Sequence, residues 1–77
     1  MDFIMGQITL FAGNFIPVGF AACDGALLPI AQNTALFSIL GVNYGGDGVT
    51  NFALPKIADL DDAKYMIATQ GIYPQRP

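Results

Sequence analysis

The sequence predicts an α+β domain in which a small mixed sheet packs with one short helix. Several apolar runs of strand length are separated by turns that contain glycine or proline, and a single segment has helical spacing. A chain of 77 residues has room for one domain, and we assign residues 1–77 to it.

The first half of the chain predicts two strands and a hairpin. Residues 4–12 alternate imperfectly between apolar and polar, as on a strand with one buried and one partly covered face. Residues 20–23 form a short apolar run that suits a buried strand. Asp24 and Gly25 then predict a tight turn, because glycine accepts positive φ. Residues 26–28 would return beside the preceding strand.

The next segment predicts the helix. Apolar residues fall at helical spacing between positions 35 and 40, Asn33 can cap the start, and Gly41 is placed to cap the end. Residues 50–54 read as another strand that Pro55 stops. Residues 56–64 make a polar connection, and residues 65–69 predict the closing strand before an extended tail at 72–74.

Between the helix and the next strand lies a loop with three glycines, Gly45, Gly46 and Gly48. Such a loop requires unusual backbone angles, and we expect Asp47 to cap backbone amides inside it. A phosphate-binding role is disfavoured, because no Lys-Ser or Lys-Thr pair follows and the predicted helix precedes the loop. The oxygen ligands of a calcium loop are also missing after Asp47.

Size and composition predict self-association. A chain this short buries only about 60–65% of the surface of its unfolded form, so its core is thin. Its one cysteine and lack of histidine nearly exclude stabilisation by disulfides or a metal. Because 53% of the residues are apolar and 12% are charged, part of the apolar surface should contact another subunit. The candidate contact residues are Phe11, Phe15, Phe20, Ile72 and Tyr73.

Charge and hydropathy exclude several other roles. A net charge of −3 offers no footprint for nucleic acid or for an anionic membrane surface. The most apolar stretch, residues 15–23, is broken by Pro17 and Gly19, so we expect no membrane insertion. No basic region precedes an apolar run at the start, which predicts no secretory signal. The chain would then be made in the cytoplasm and released in assembled form or by a signal-free route.

Catalysis is not expected. The chain has no histidine, its only serine, Ser38, lies in the predicted helix, and Cys23 has no histidine partner. We therefore predict no enzyme, no metal and no cofactor. Cys23 is expected to be a small buried hydrophobe, with an intermolecular disulfide as the alternative. Asp59, Asp61 and Asp62 are expected to form a solvated loop.

Six blocks follow one another in a fixed order. They are Gly6-Gln7-Ile8, residues 19–25, Leu28-Pro29-Ile30, residues 32–41, residues 44–48 and residues 52–55. Their order and spacing resemble the phage tail collar family of tail fibre and microcystin-dependent proteins. The blocks cover about residues 4–55, and the segment 65–74 also resembles the closing strand of the family. Phe20 stands where the family usually has Trp. Only residues 56–64 occupy the place of the head region of longer relatives, so the chain resembles a minimal version that lacks this insertion.

The resemblance implies a structural subunit of a phage tail, a tail-like particle or an extracellular fibre. It implies a homotrimer, with other tail or fibre proteins as further partners and a virion or extracellular particle as the location. A head-to-tail filament is an open variant, in which the closing segment would pair with the sheet edge of a neighbouring copy. The alternative function is a small module that binds a surface glycan or protein through the glycine-rich loop.

Overall fold

A computed structural model describes residues 3–75. The elements in chain order are β1 (Ile8–Phe11), β2 (Phe20–Ala22), β3 (Leu27–Pro29), a 3-10 turn (Ile30–Gln32), α1 (Thr34–Leu40), β4 (Asn51–Ala53) and β5 (Lys64–Ala68). The predicted α+β class with a short α-helix is confirmed.

The strands form two antiparallel sheets, whereas the sequence predicted a single small mixed one. The first sheet has the order β1-β5-β2, and the second pairs β3 with β4. The closing strand β5 is therefore the central strand of the larger sheet. Both β1 and β2 therefore depend on a strand that lies more than forty residues later in the chain.

The hairpin predicted at Asp24-Gly25 is wrong. The strand that follows, β3, pairs with β4 through Leu28 opposite Phe52, and it does not return along β2. Gly25 does have a positive φ of 82°, but this turn carries the chain from one sheet to the other. A short apolar run does not show which strand will be its partner, and β5 supplies the partner of β2 instead.

A β-bulge at Gly6 begins strand β1. The Gly6 amide donates to the Ala68 carbonyl (2.8 Å), and the Ala68 amide donates to the Gln7 carbonyl (2.9 Å), so two residues face one. Gly6 has φ 88°, which is typical of a bulge that starts with a left-handed glycine. The Gln7 amide also closes a turn on the Ile4 carbonyl (2.9 Å). The bulge thus sets the register of β1 on β5.

Helix α1 supplies one side of the core, where Leu36 and Leu40 are buried one turn apart. They pack in a cluster with Phe52, Leu54, Ile67 and Cys23. Fully burying a side chain of this size stabilises the fold by about 1.5–3 kcal/mol. The core therefore joins the helix to both sheets.

The helix ends differ in how they are capped. Asn33 occupies the N-cap position, but its side chain does not cap the helix and donates instead to the Pro29 carbonyl (3.0 Å). Gly41 lies at the C-cap with φ 59°, and its amide donates to the Phe37 carbonyl (2.7 Å). The Asn33 side chain thus stabilises the 3-10 turn that precedes the helix, and this turn leads the chain into α1.

Candidate functional site

The glycine-rich loop covers the outer edge of strand β4. The Ala53 amide donates to the Gly45 carbonyl, and the Gly48 amide donates to the Asn51 carbonyl, both at 3.0 Å. These backbone groups of β4 face away from β3, because the bonds to β3 fall on the alternate residues. The loop therefore satisfies the edge of a strand that would otherwise be open.

Gly46 explains why this loop requires glycine. A Cβ at this position would lie 2.4 Å from the Phe52 Cα and 2.9 Å from the Asn51 carbonyl oxygen. Gly46 also has φ 95°, which side chains rarely permit. Phe52 is fully buried and cannot easily move away. The close backbone approach and the backbone angle both select glycine here.

Asp47 holds the loop together with its carboxylate. Oδ1 accepts hydrogen bonds from the amides of Val49 (2.8 Å), Thr50 (2.8 Å) and Asn51 (3.0 Å), and Oδ2 accepts one from the Thr50 hydroxyl (2.8 Å). The bonds from the amides, that of Val49 first, and from the hydroxyl hold the pKa of Asp47 well below its usual range. Both carboxylate oxygens are therefore engaged within the loop.

The partners of Asp47 were not singled out from the sequence. Thr50 supplies a hydroxyl, and the Asn51 Oδ1 in return accepts a hydrogen bond from the Asp47 amide (2.9 Å). Their spacing of three and four residues from Asp47 was a usable signal, since short polar side chains at this distance commonly bond across a turn.

The connection between the two sheets forms a second structured turn. Asp24 Oδ1 accepts a bond from the Ala26 amide (3.0 Å), and the Gly25 amide donates to the carbonyl of the buried Pro55 (3.3 Å). The Ile57 amide donates to the Cys23 carbonyl (2.9 Å). The chain after β4 is thereby tied to the chain after β2.

An open, largely apolar groove of about 520 Å³ lies beside this turn. Lys56 and Lys64 line it together with Ile57, Tyr65 and Cys23. Burial, and then the neighbouring Asp24 carboxylate, raise the pKa of the Cys23 thiol. Cys23 is only 3% exposed, so at neutral pH it is a protonated packing group.

The acidic connection shows no ligand geometry. Asp59, Asp61 and Asp62 are exposed. Within residues 3–75, no three His, Cys, Asp or Glu side chains are grouped so that they could hold a metal ion. In the same part of the chain, no helix has the length and apolar character that crossing a bilayer requires.

Apolar side chains cover much of the described surface. Between residues 3 and 75, twelve large apolar side chains are exposed, whereas nine apolar residues are buried. The exposed ones are Ile4, Ile8, Leu10, Phe15, Val18, Leu27, Val42, Tyr44, Val49, Leu60, Ile72 and Tyr73. Their number in so short a chain is the observation that bears on the predicted self-association.

The residues predicted as subunit contacts divide into two groups. Phe15, Ile72 and Tyr73 are exposed. Phe11 and Phe20 are half-buried, because the ring of Phe11 packs edge-on against Phe15 (centroids 5.6 Å apart) and that of Phe20 against Phe3 (4.9 Å). Sequence reasoning did not single out Ile4, Ile8 and Leu10.

The tail after β5 pairs within its own chain. The Met5 amide donates to the Ile72 carbonyl and the Ile72 amide to the Phe3 carbonyl, both at 2.8 Å. The hydroxyls of Tyr73 and Ser38 share a hydrogen bond (2.5 Å). Strand β5 also has a neighbour on each side. The closing segment is therefore not free to pair with a neighbouring copy, as the filament variant required.

Comparison with known families matches residues 6–60 to the Phage Tail Collar Domain. The match spans 55 of the 77 residues, from the bulge before β1 to the connection after β4. Comparisons with curated proteins and with solved structures found no match. The chain belongs to the phage tail collar domain family.

Proposed function

We propose that this chain is a self-assembling structural subunit of a phage tail, a tail-like particle or an extracellular fibre. Its family supports a structural role in a phage tail fibre and a virion-associated location. Self-assembly is the part of the proposal that goes beyond this family role. It rests on the excess of exposed over buried large apolar side chains among residues 3–75.

The physical argument is that one copy cannot bury its own apolar surface. The core cluster contains six buried residues from the helix, the β4 region, β5 and Cys23. Exposed residues such as Ile4, Phe15 and Ile72 lie outside it. Contact with further copies removes such side chains from water at about 25 cal/mol per Å² of apolar area. A homotrimer is the arrangement we propose for this contact. A head-to-tail filament is the open variant, and it would need a contact other than the closing segment, which is paired within its own chain.

The turn residues have a structural role in this proposal, and no catalytic or cofactor-binding role. The glycine-rich loop closes the edge of β4, and the Asp24 turn links the two sheets. The residues concerned are Asp24, Gly25, Gly41, Gly45, Gly46, Asp47, Gly48 and Pro55.

The observations do not favour the alternative, a module that binds glycan or protein through the loop. The Asp47 carboxylate, the charged group of that loop, already accepts four hydrogen bonds from its own chain. Oδ1 accepts three of these bonds and Oδ2 accepts one, so most of the acceptor capacity of Asp47 is used within the loop. We therefore retain the structural role.

Light scattering across a dilution series tests the proposal. We expect the purified chain to have a mass of several copies at micromolar concentration, and electron micrographs to distinguish rings from fibres. A folded monomer across the micromolar range would contradict self-assembly. A glycan array supplies the counter-test, since a ligand lost on Asp47→Asn would favour the binding module.

A further inference from the structure

Three of the four outer strand edges of the two sheets are protected. The glycine-rich loop covers β4. Strand β3 ends in Pro29, which has no N–H to offer. Strand β2 has only three residues, and its Phe20 amide already donates to the Pro17 carbonyl (3.2 Å). Each device is one that proteins use against edge-to-edge pairing.

Among residues 3–75, strand β1 is the edge with the least protection. Its bulge, at Gly6 and Gln7, lies before the strand, and no loop in this part of the chain bonds to the backbone of Ile8 or Leu10. Its four residues, Ile-Thr-Leu-Phe, include no charge and no proline. Ile8 is 39% exposed and Leu10 is 43% exposed, and both lie on the same face of the strand because side chains alternate. Uncharged edges with exposed apolar side chains are the ones that recruit another strand.

The bulge determines which backbone groups of β1 remain open. Gly6, Gln7 and Ala68 exchange hydrogen bonds, and bonded and non-bonded pairs alternate along an antiparallel ladder. Thr9 and Phe11 therefore bond to β5, whereas the N–H and C=O groups of Ile8 and Leu10 point outward.

We propose that β1 pairs antiparallel with β1 of a second copy, about a two-fold axis that passes beside Thr9. This inference rests on the proposed self-assembly and adds a contact to it. A two-fold contact joins two copies, or two assemblies, and is separate from the contact that would close a homotrimer or extend a head-to-tail filament. In this register Ile8 lies opposite Leu10 of the second copy, and Leu10 opposite Ile8 of that copy. Each of the two pairs exchanges two N–H···O bonds. The two three-stranded sheets become one of six strands.

The strand is complementary to itself, which favours a second copy over another protein. Its open groups at Ile8 and Leu10 are placed symmetrically about Thr9, so one register satisfies both strands at once. The same register sets the exposed Ile8 and Leu10 side chains against each other. Since each copy carries a net charge of −3, an uncharged edge lets two copies approach without like charges directly opposite.

Disulfide trapping reads this register directly. In the two-fold pair the Thr9 Cα atoms of the two copies lie about 4.5 Å apart, near the range that a disulfide spans. The Gln7 Cα atoms lie about 13 Å apart along the strands, which is too far. Both single-cysteine variants, Thr9→Cys and Gln7→Cys, are made on a Cys23→Ala background that removes the native thiol.

We expect Thr9→Cys to form covalent dimers under mild oxidation at least tenfold faster than Gln7→Cys at the same concentration. Leu10→Lys should raise the concentration at which the assembly dissociates at least tenfold. Leu27→Lys is the matched control, because Leu27 is also an exposed strand residue but lies on the proline-protected edge. Circular dichroism confirms that each variant is folded.

The outcomes separate this inference from the proposed function. A wild-type chain that is monomeric at micromolar concentration overturns both. An oligomeric wild type in which Thr9→Cys and Gln7→Cys cross-link equally overturns the β1 pairing and leaves self-assembly intact. The pairing is also overturned if the wild type has an odd number of copies and the folded Leu10→Lys variant dissociates at the same concentration as the wild type.

Discussion

Replacing Gly46 by alanine tests the packing of the glycine-rich loop on strand β4. The added methyl group would lie 2.4 Å from the Phe52 Cα and 3.0 Å from the Phe52 backbone nitrogen. These are backbone atoms of a fully buried residue, so the methyl group cannot be accommodated by rotating a side chain. The backbone at Gly46 also has φ 95°, which alanine disfavours.

The cost has two parts that can be worked out separately. Holding a residue other than glycine at this backbone angle costs about 1–3 kcal/mol. Forcing the loop away from β4 to make room for the methyl group costs about another 1–3 kcal/mol, as in other overpacked interiors. The total of about 2–6 kcal/mol is large beside the stability of about 4–12 kcal/mol expected for 77 residues.

Gly25→Ala is the matched control for the backbone part. Gly25 has φ 82°, close to that of Gly46, but a Cβ there would be 3.4 Å from the Lys56 Cβ, an ordinary contact. The two variants are compared by thermal unfolding with far-UV circular dichroism at one protein concentration, because assembly makes Tm depend on concentration. The extra 1–3 kcal/mol corresponds to a Tm for Gly46→Ala about 4–24 °C below that of Gly25→Ala.

Two results would refute this reasoning. Equal melting temperatures for the two alanine variants would mean that the loop does not approach β4 as closely as 2.4 Å implies. A Gly46→Ala variant that melts like the wild type would also refute the positive φ at this position.

Three further predictions concern the loop and the core. Because its pKa is lowered on folding, Asp47 stabilises the fold fully above the unfolded-state value of about 3.9 and loses that contribution as the pH falls below it. Chemical denaturation at several pH values should therefore show a shallower acid dependence for Asp47→Asn, and an unchanged one would contradict the loop geometry. Cys23 should react with a thiol reagent at neutral pH only after urea unfolds the chain, whereas rapid labelling of the folded protein would show that it is not buried. Leu36→Ala should lower the unfolding free energy by about 2–5 kcal/mol, and exposed Leu27→Ala, its control, by much less. Comparable losses would place Leu36 outside the core.

Local features followed from the sequence where one segment contains all the interacting groups. The helix needs only its own apolar spacing and a glycine at its end, and the structure has α1 at Thr34–Leu40 with Gly41 after it. The Asp47 turn is equally local, since every group that its carboxylate binds lies within four residues. Even so, the sequence analysis did not identify Thr50 and Asn51, because many polar residues follow a glycine-rich loop without bonding to its carboxylate.

Pairings between distant segments did not follow from the sequence. An apolar run of three residues, such as β2 or β3, suits several partners equally well, so a tight turn between them suggested a hairpin that does not form. The partner of β3 is β4, more than twenty residues later, and that of β2 is β5. Ile8 and Leu10 are exposed because no other element within the described part of the chain packs on their face of β1, and this depends on the tertiary structure.

The sequence by itself determined the α+β class, the short helix, the glycine requirement of the loop and membership of the collar family, because these depend on residue type and on short spacing. Only the tertiary structure decided that the closing strand lies at the centre of its sheet, that the loop seals β4, and that β1 is the open edge. Strand order is set by contacts between segments far apart in the chain, and local sequence patterns do not indicate which distant strand will supply the hydrogen-bond partners.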